Sequence, residues 1–496
     1  MIDVTAVDVV VIGAGISGLA VAERLTTAGV EAVVLEARPR PGGRLLTAPP
    51  CLDLGATWYW DGEHRVARMV ERFGLTPFDQ HLDGDTMYED ADGVHRLAGN
   101  LVDVPARRLA GGMARLADHL AASLPEECVQ LDCAVSGIDH DGDHLIVVSG
   151  DRRWRCRHVV LALPPSLAAA SIRFPADTPT DLLGVAAATP VWMGQTAKVV
   201  AVYDRAFWRA HGLAGAGISR VGPMREIHDM SGPLGRPAAL FGFAPAMFLG
   251  SHPETQILEQ LGRLFGAPAK QPEQLLVQDW NAERYTVPPG PVSARVPTAA
   301  DYSLYGHDLF QRPALNGRLH WSSTETATRH PGHVEGALDA AARVADSIVR
   351  SFGSSRSGST GARRCDTQEV DGWVDGWVDG WVDGTTRASR RLRGGAGTAL
   401  RPPTVPRHES CFGGSRTPRD RPGNTWAPPP HRFPAPRRAS VTLGSSPADR
   451  SGDNASGASR PGRSSSVSAS RVRRATTRDR AAPSDPSADW QHASNR

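Results

Sequence analysis

The N-terminal part of the chain alternates short apolar runs with an amphipathic stretch. Residues 9–12 (VVVI) are all apolar, which predicts a strand buried on both faces. Apolar residues recur at helical spacing over 19–25, and a second apolar run occupies 32–35. The pattern predicts a strand, a helix and a second strand, the unit from which parallel sheets of α/β proteins are built.

Three glycines stand where the first predicted strand meets the helix, in the spacing GxGxxG. Gly13 allows the tight turn, Gly15 lets a pyrophosphate approach the backbone at the helix N-terminus, and Gly18 lets helix and strand pack closely. Glu36 ends the second strand, where its carboxylate can accept hydrogen bonds from ribose hydroxyls. A free 2′-hydroxyl is what Glu36 selects, so NADP is disfavoured and FAD and NAD remain.

A second glycine loop follows in ARPRPGGRLLT, residues 37–47. Gly42 and Gly43 permit another close backbone approach, and Arg44 supplies a cation for the same pyrophosphate. The run LDLGATWYW, 52–60, then places small residues before an aromatic cluster. The two glycine loops together favour FAD over NAD.

The run from residue 13 to residue 60 resembles the flavin-dependent monoamine oxidase family, bacterial FAD-dependent amine oxidoreductases included. The segment GRLHWSSTETATRHPGHVEGALDAAARVADSIV, 317–349, resembles that family's final FAD-binding strand and helix. The resemblance spans about 6–350, and it implies a Rossmann-like FAD-binding domain with an interleaved substrate domain. It implies cofactor contacts at Gly13, Gly15, Ser17, Gly18, Glu36, Ala37, Arg38, Gly43, Arg44, Gly55, Ala56, Thr57, Val135, Thr324, Glu325 and Val334.

We therefore predict an α/β chain of two interleaved domains followed by a tail. The expected FAD-binding domain comprises 1–80, 128–182 and 292–352, and the expected substrate domain comprises 81–127 and 183–291. The range 81–127 shows weak helical periodicity, clearest at 111–125. Residues 133–165 predict two strands joined by the turn DHDGD and then a buried strand.

Lys198 is the sharpest chemical feature of the middle of the chain. The surrounding residues 196–203 predict a strand with two apolar faces, and a lysine there is costly unless it is paired or functional. The chain has only one other lysine, Lys270, and otherwise uses arginine. The family resemblance puts Lys198 where relatives keep a lysine that hydrogen-bonds a water beside flavin N5.

Two further positions follow from the resemblance. Trp280 matches the tryptophan beneath the flavin, and His333 stands where amine-oxidising relatives have the second tyrosine of an aromatic pair. Counting from Trp280, the cysteine that binds FAD covalently in some relatives falls at Pro289, so we expect non-covalent FAD. An imidazole at 333 can stack, but a charged one would repel an ammonium.

Three functions remain open from the sequence. The first is an FAD-dependent oxidase that takes hydride from the carbon next to an amine nitrogen, giving an imine, then an aldehyde or ketone with ammonia, and hydrogen peroxide. The second keeps the flavin but oxidises a carbon skeleton, as desaturases and protoporphyrinogen oxidases do. The third is a catalytically silent FAD-binding protein.

The composition changes near residue 352. Beyond it Ser, Gly, Pro and Arg predominate and apolar periodicity is lost, so 353–496 is predicted to be disordered. The tail is basic, but its arginines are scattered and not interleaved with aromatic residues, so no nucleic-acid partner is expected.

The remaining features of the sequence concern partners and location. Six cysteines without a CxxC pair predict neither a disulfide framework nor a metal site. The chain starts almost directly with the buried strand and has no long apolar run, so we expect no signal peptide, no transmembrane segment and a cytoplasmic location. The expected partners are an amine and oxygen, and the sequence does not indicate an oligomeric state.

Overall fold

A parallel sheet of five strands organises the first part of the fold. The computed structural model describes residues 4–288 and 303–357, with strands and helices numbered in chain order. The sheet has the order β10-β3-β2-β14-β20. Its strands are β2 (Val9–Ile12), β3 (Ala32–Leu35), β10 (Val129–Gln130), β14 (His158–Leu161) and β20 (Leu319–Trp321). The predicted strand-helix-strand unit is confirmed, with β2 and β3 parallel and fully buried.

One face of this sheet is covered by helices distant in sequence. They are α1 (Ile16–Thr27), α2 (His64–Arg72), α3 (Arg115–Ser123) and α9 (Val334–Ser357). The last helix presents an apolar stripe, Ala337, Ala341, Val344 and Ile348, which is buried against this core. Burial of such a stripe stabilises the helix more than its intrinsic propensity does.

The opposite face packs against a mixed layer of four strands, with one parallel and two antiparallel pairs, and against three short helices. The layer has the order β1-β13-β12-β11, built from β1 (Val4–Ala6), β11 (Gly137–Asp141), β12 (His144–Ser149) and β13 (Arg152–Cys156). The helices are α4 (Pro165–Ser171), α5 (Thr180–Ala188) and α8 (Asp308–Gln311). The predicted turn is present at Gly142. The prediction had two strands before the buried strand β14, whereas the structure has a third, β13, which pairs with β12.

A second sheet of seven strands carries the middle of the chain, in the order β19-β15-β18-β17-β16-β7-β8. Its strands are β7 (Asp85–Asp90), β8 (Gly93–Leu97), β15 (Thr196–Tyr203), β16 (Leu213–Ser219), β17 (Glu226–Asp229), β18 (Ala238–Pro245) and β19 (Gln274–Asp279). The helices α6 (Phe207–Ala210) and α7 (Pro253–Phe265) accompany it. Two small pairs complete the strands: β4 (Thr47–Ala48) with β5 (Leu52–Asp53), and β6 (Pro77–Asp79) with β9 (Arg107–Leu109).

The structure of residues 81–127 differs from the sequence prediction in two ways. Its first part is strand and not helix, because β7 pairs with β16, a partner more than a hundred residues away that local periodicity does not report. The helix predicted at 111–125 is present as α3, but Leu116 and Leu120 pack into the core beside α1. The range assigned to the substrate domain is therefore divided between the two sheets.

The α/β fold class is confirmed, and the last helix runs further than expected. α9 ends at Ser357, five residues beyond the boundary placed at 352. The rest of the predicted disordered tail lies outside the described residues, as does Pro289. Within the described ranges, no helix is both long enough and apolar enough to cross a bilayer.

Candidate active site

A cavity of about 1100 Å³ lies at the carboxyl ends of β2, β3 and β14 and reaches β15 of the second sheet. Ligands of open α/β sheets bind at this end of the strands. Every predicted site residue lines the cavity except Gly18 and Glu325. The predicted residues that line the cavity are Gly13, Gly15, Ser17, Glu36, Ala37, Arg38, Gly43, Arg44, Gly55, Ala56, Thr57, Val135, Lys198, Trp280, Thr324, His333 and Val334.

The first glycine loop has a distinct geometry at each glycine. Gly13 has φ +105°, and a Cβ there would lie 2.8 Å from the carbonyl oxygen of Ala162. A Cβ on Gly18 would lie 2.0 Å from the carbonyl oxygen of Gly13, so this glycine allows close packing and does not face the cavity. Gly15 is different, because a Cβ there would meet nothing within 4 Å. The open space lies at the start of α1, where no side chain caps the helix.

Glu36 is held rigidly at the end of β3. Its Oε2 accepts a hydrogen bond from the backbone N–H of Ala14 at 2.8 Å, and its Oε1 accepts one from the N–H of Arg38 at 3.0 Å. A carboxylate has about four acceptor positions, so further hydrogen bonds from a ligand can be accepted. Val135, on the segment between β10 and β11, lines the same part of the cavity.

The second glycine loop presents an ion pair that the sequence did not reveal. Nη1 and Nη2 of Arg44 donate to the two carboxylate oxygens of Glu325, at 2.6 and 3.1 Å. The side chain of Glu325 is fully buried and does not line the cavity, and it contacts Arg44, which does. Burial alone would lower the pKa of Arg44, but the charge and hydrogen bonds of Glu325 raise it above its ordinary value.

These residues fit FAD in a way that can be checked on the structure. The space beside the backbone of Gly15 is open. It lies at the N-terminus of α1, which no side chain caps and which favours a phosphate group. A second helix N-terminus, that of α9 at Val334, also lines the cavity. Glu36 stands at the distance along the chain that dinucleotide sites require. The cavity volume exceeds that of most small-molecule pockets, as a dinucleotide demands.

Lys198 projects from β15 into the far end of the cavity wall. Its side chain is 1% exposed, and Nζ donates to the carbonyl oxygen of Gly55 at 3.0 Å and to Oγ1 of Thr57. The ammonium also lies over the ring of Phe241, 4.2 Å from its centroid. Burial lowers the pKa of Lys198 to about 7, partly opposed by the charge of Asp53.

Trp280 and His333 form other parts of the wall. Trp280 is buried and donates from Nε1 to the carbonyl oxygen of Leu54 at 2.9 Å, which fixes the indole. His333 Nδ1 lies 2.6 Å from Oε1 of the buried Glu63. With Glu63 ionised, Nδ1 carries the proton and donates, so Nε2 is the remaining site of His333 for a hydrogen bond.

The lining also contains aromatic residues that are not among those predicted from the sequence. Trp60 lies against His333 with ring centroids 4.9 Å apart, and Trp58 and Trp192 also face the cavity. The aromatic cluster in LDLGATWYW is the signal that could have identified the first two. Glu63 follows this cluster directly, but its contact with His333 spans 270 residues and leaves no local pattern.

The two glycines at the start of α1 give a test of how the loop is used. We expect Gly15→Ala to keep the stability of the flavin-free protein within about 1 kcal/mol, since φ −70° suits alanine. Its affinity for FAD should fall by at least about tenfold, because a methyl group would occupy the space for the pyrophosphate. Gly18→Ala should instead lose about 1–3 kcal/mol of stability through overpacking.

Urea unfolding of the flavin-free proteins and fluorescence titration with FAD would separate the two effects. Unchanged FAD affinity in Gly15→Ala would mean that the pyrophosphate does not lie over this glycine.

Comparison with known proteins shows which families this chain matches. The profile described as flavin containing amine oxidoreductase matches residues 79–349, and that of an NAD(P)-binding Rossmann-like domain matches 11–73. A Mycobacterium tuberculosis protein named as a flavin-containing monoamine oxidase is 27% identical, over 69% of this chain and 96% of its own. Putrescine oxidase of Kocuria rosea is 25% identical, over 67% and 92%.

A solved structure shares the fold. Cyclohexylamine oxidase from Brevibacterium oxydans aligns with a TM-score of 0.61 at 22% identity, covering 70% of this chain and 99% of the other.

Proposed function

Because this chain belongs to the family of flavin containing amine oxidoreductases, we propose that it is an FAD-dependent amine oxidase whose active site is the cavity described above. FAD, when bound, supplies the acceptor for hydride from the carbon next to the amine nitrogen and passes the electrons to oxygen. One observation carries the proposal: a single cavity wall brings together the two glycine loops, Lys198, Trp280 and His333.

Lys198 is proposed to act in the step in which oxygen takes electrons from the reduced flavin. Gly55 and Thr57 take two of its three N–H donors, which leaves one for a water or a ligand in the cavity. A compact ammonium in a buried wall stabilises negative charge that develops close to it, since few waters screen it there.

His333 and Trp60 are proposed to bound the substrate side of the cavity. Glu63 holds the imidazole through Nδ1, so the ring orientation is fixed and Nε2 can accept a hydrogen bond from an amine. The indole of Trp60 supplies an aromatic face beside it. Together these side chains orient the amine and exclude water.

The direct test is anaerobic titration of the purified yellow protein with amines, amino acids and polyamines. We expect at least one primary amine to bleach the flavin absorbance, with hydrogen peroxide formed when air is admitted. Bleaching only by a substrate without a basic nitrogen would support a desaturase-like enzyme. Flavin that no compound in the panel bleaches, although dithionite reduces it, would argue for a catalytically silent FAD-binding protein.

We expect the FAD to be bound without a covalent link. Acid precipitation should leave the yellow colour in the supernatant. A yellow pellet would show that a side chain is attached to the flavin.

In His333→Tyr, we expect kcat/KM for simple aryl-alkyl amines to rise. A tyrosine ring presents an aromatic face that attracts an ammonium by about 0.5–2 kcal/mol, and an imidazole does not offer a comparable face. The double variant His333→Tyr/Glu63→Gln is the matched control, because the single change leaves the buried Glu63 carboxylate without its imidazole partner. Unchanged selectivity across the amine panel in both variants would mean that residue 333 does not face the substrate.

A further inference from the structure

The rim of the cavity holds a group of three side chains, of which the proposed reaction uses Glu63 and His333 but not His330. Glu63, His330 and His333 each offer one ligand atom, and these atoms all lie within 4.8 Å of one another. Two imidazoles and a carboxylate are a ligand set that binds Zn²⁺, usually with a water in the fourth position. Glu63 comes from the segment before α2 and the two histidines from the loop before α9. The sequence therefore predicted no metal site.

The distances suit an ion after small side-chain rotations. Glu63 Oε1 lies 2.6 Å from His333 Nδ1 and 4.0 Å from His330 Nδ1. Bonds to Zn²⁺ of about 2.0–2.2 Å place neighbouring ligand atoms roughly 3.3 Å apart, between these two values. The histidine side chains are 43% and 36% exposed, so both can rotate, whereas Glu63 is 3% exposed.

The carboxylate is already directed toward the imidazoles. Glu63 Oε2 accepts a hydrogen bond from the backbone N–H of Trp60 at 3.1 Å, which holds the carboxylate and leaves Oε1 on the histidine side. The Pro331-Gly332 turn brings the two imidazole centroids to 6.3 Å. The nearby cation Arg329 is directed away to Asp339, at 2.7 Å, a carboxylate that Arg65 also contacts.

We propose that Glu63, His330 and His333 bind Zn²⁺ at the rim of the substrate cavity, and that the bound ion inhibits amine oxidation. On binding, the ion replaces the Nδ1 proton of His333, which passes to solvent. The ion places positive charge beside His333, which lines the cavity, and this charge repels an ammonium substrate. The inhibition rests on the proposed function, whereas the binding does not.

Calorimetric titration of the full-length, tag-free, flavin-loaded protein with ZnCl₂ tests the binding. The variants are His330→Asn and Glu63→Gln. Asparagine is chosen because His330 has φ +50°, a backbone conformation that asparagine tolerates well. His64→Gln is the matched control, an exposed histidine next to Glu63 in sequence but outside the cluster.

We expect one binding event in the parent and in His64→Gln that weakens at least about tenfold in His330→Asn and Glu63→Gln. Zn²⁺ should raise the KM for an amine in the first two proteins and leave it unchanged in the other two. The flavin spectrum shows that each variant is folded. Equal Zn²⁺ affinity in all four proteins would overturn the proposal, and calorimetry gives that answer even if no amine is a substrate.

Discussion

In Lys198→Met, we expect reoxidation of the reduced flavin by oxygen to slow by at least about tenfold, because one preorganised donor typically contributes roughly 2.7–4 kcal/mol. Methionine keeps the length of the side chain and removes its charge. Reduction of the flavin by an amine should change less, since the ammonium acts on negative charge that develops on oxygen. Stopped-flow spectroscopy measures the two half-reactions separately. Equal reoxidation rates in variant and parent would remove Lys198 from the mechanism.

The pH dependence of the same step provides a second readout. The pKa of Lys198 is lowered from 10.5 to about 7, so the charged form predominates below about pH 7 and is lost above it. Reoxidation of photoreduced parent protein should therefore slow as the pH rises through about 7, and Lys198→Met should not show this step. Lys270→Met is the matched control, because Lys270 is exposed and paired with Glu259. This variant should behave as the parent does.

In Arg44→Met, we expect the free energy of unfolding to fall by about 3–5 kcal/mol, the usual cost of breaking a buried ion pair from one side. The carboxylate of Glu325 is 0% exposed and would be left buried without its partner. Chemical denaturation of the flavin-free protein measures the loss. FAD affinity should fall as well, since Arg44 lines the cavity.

Two further variants separate the charge effect from lost packing. Arg44→Met/Glu325→Gln should recover part of the loss, because the buried charge is gone. Arg155→Met breaks a pair with Asp141 whose side chains are 40% and 52% exposed, and it should cost no more than about 1 kcal/mol. A loss in Arg44→Met as small as that in Arg155→Met would contradict the assigned role of the buried pair.

The parts of the site that could be predicted from sequence are the local ones. Gly13, Gly15 and Gly18 stand at one strand-helix junction, where the spacing alone specifies the turn, the open backbone and the close packing. Glu36 ends the next strand, so its place at the carboxyl edge follows from the same unit. Lys198 could be identified because a lysine is rare in this chain and conspicuous on an apolar strand.

The parts that could not be predicted depend on contacts between distant segments. Arg44 and Glu325 are 281 residues apart, and Glu63 and His333 are 270 apart, so no periodicity or motif links them. The strands within 81–110 could not be predicted for the same reason, because β7 joins its sheet by pairing with the distant strand β16. Tertiary pairing outweighs weak local helical preference in such segments.

The packing of α1 against α9 determines when this protein can complete its fold during synthesis. Arg24 of α1 pairs with Asp346 of α9 at 2.5 Å, and Ser17 of α1 meets Ser322, which follows β20, at 2.8 Å. The part of the apolar face of α1 that α9 covers therefore stays without its partner until the ribosome has released the last helix. At the usual elongation rate of about 5–20 residues per second, that interval lasts roughly 20 seconds to a minute. Exposed apolar surface of this kind is what chaperones bind, so we expect co-expression of chaperones to raise the yield of folded protein.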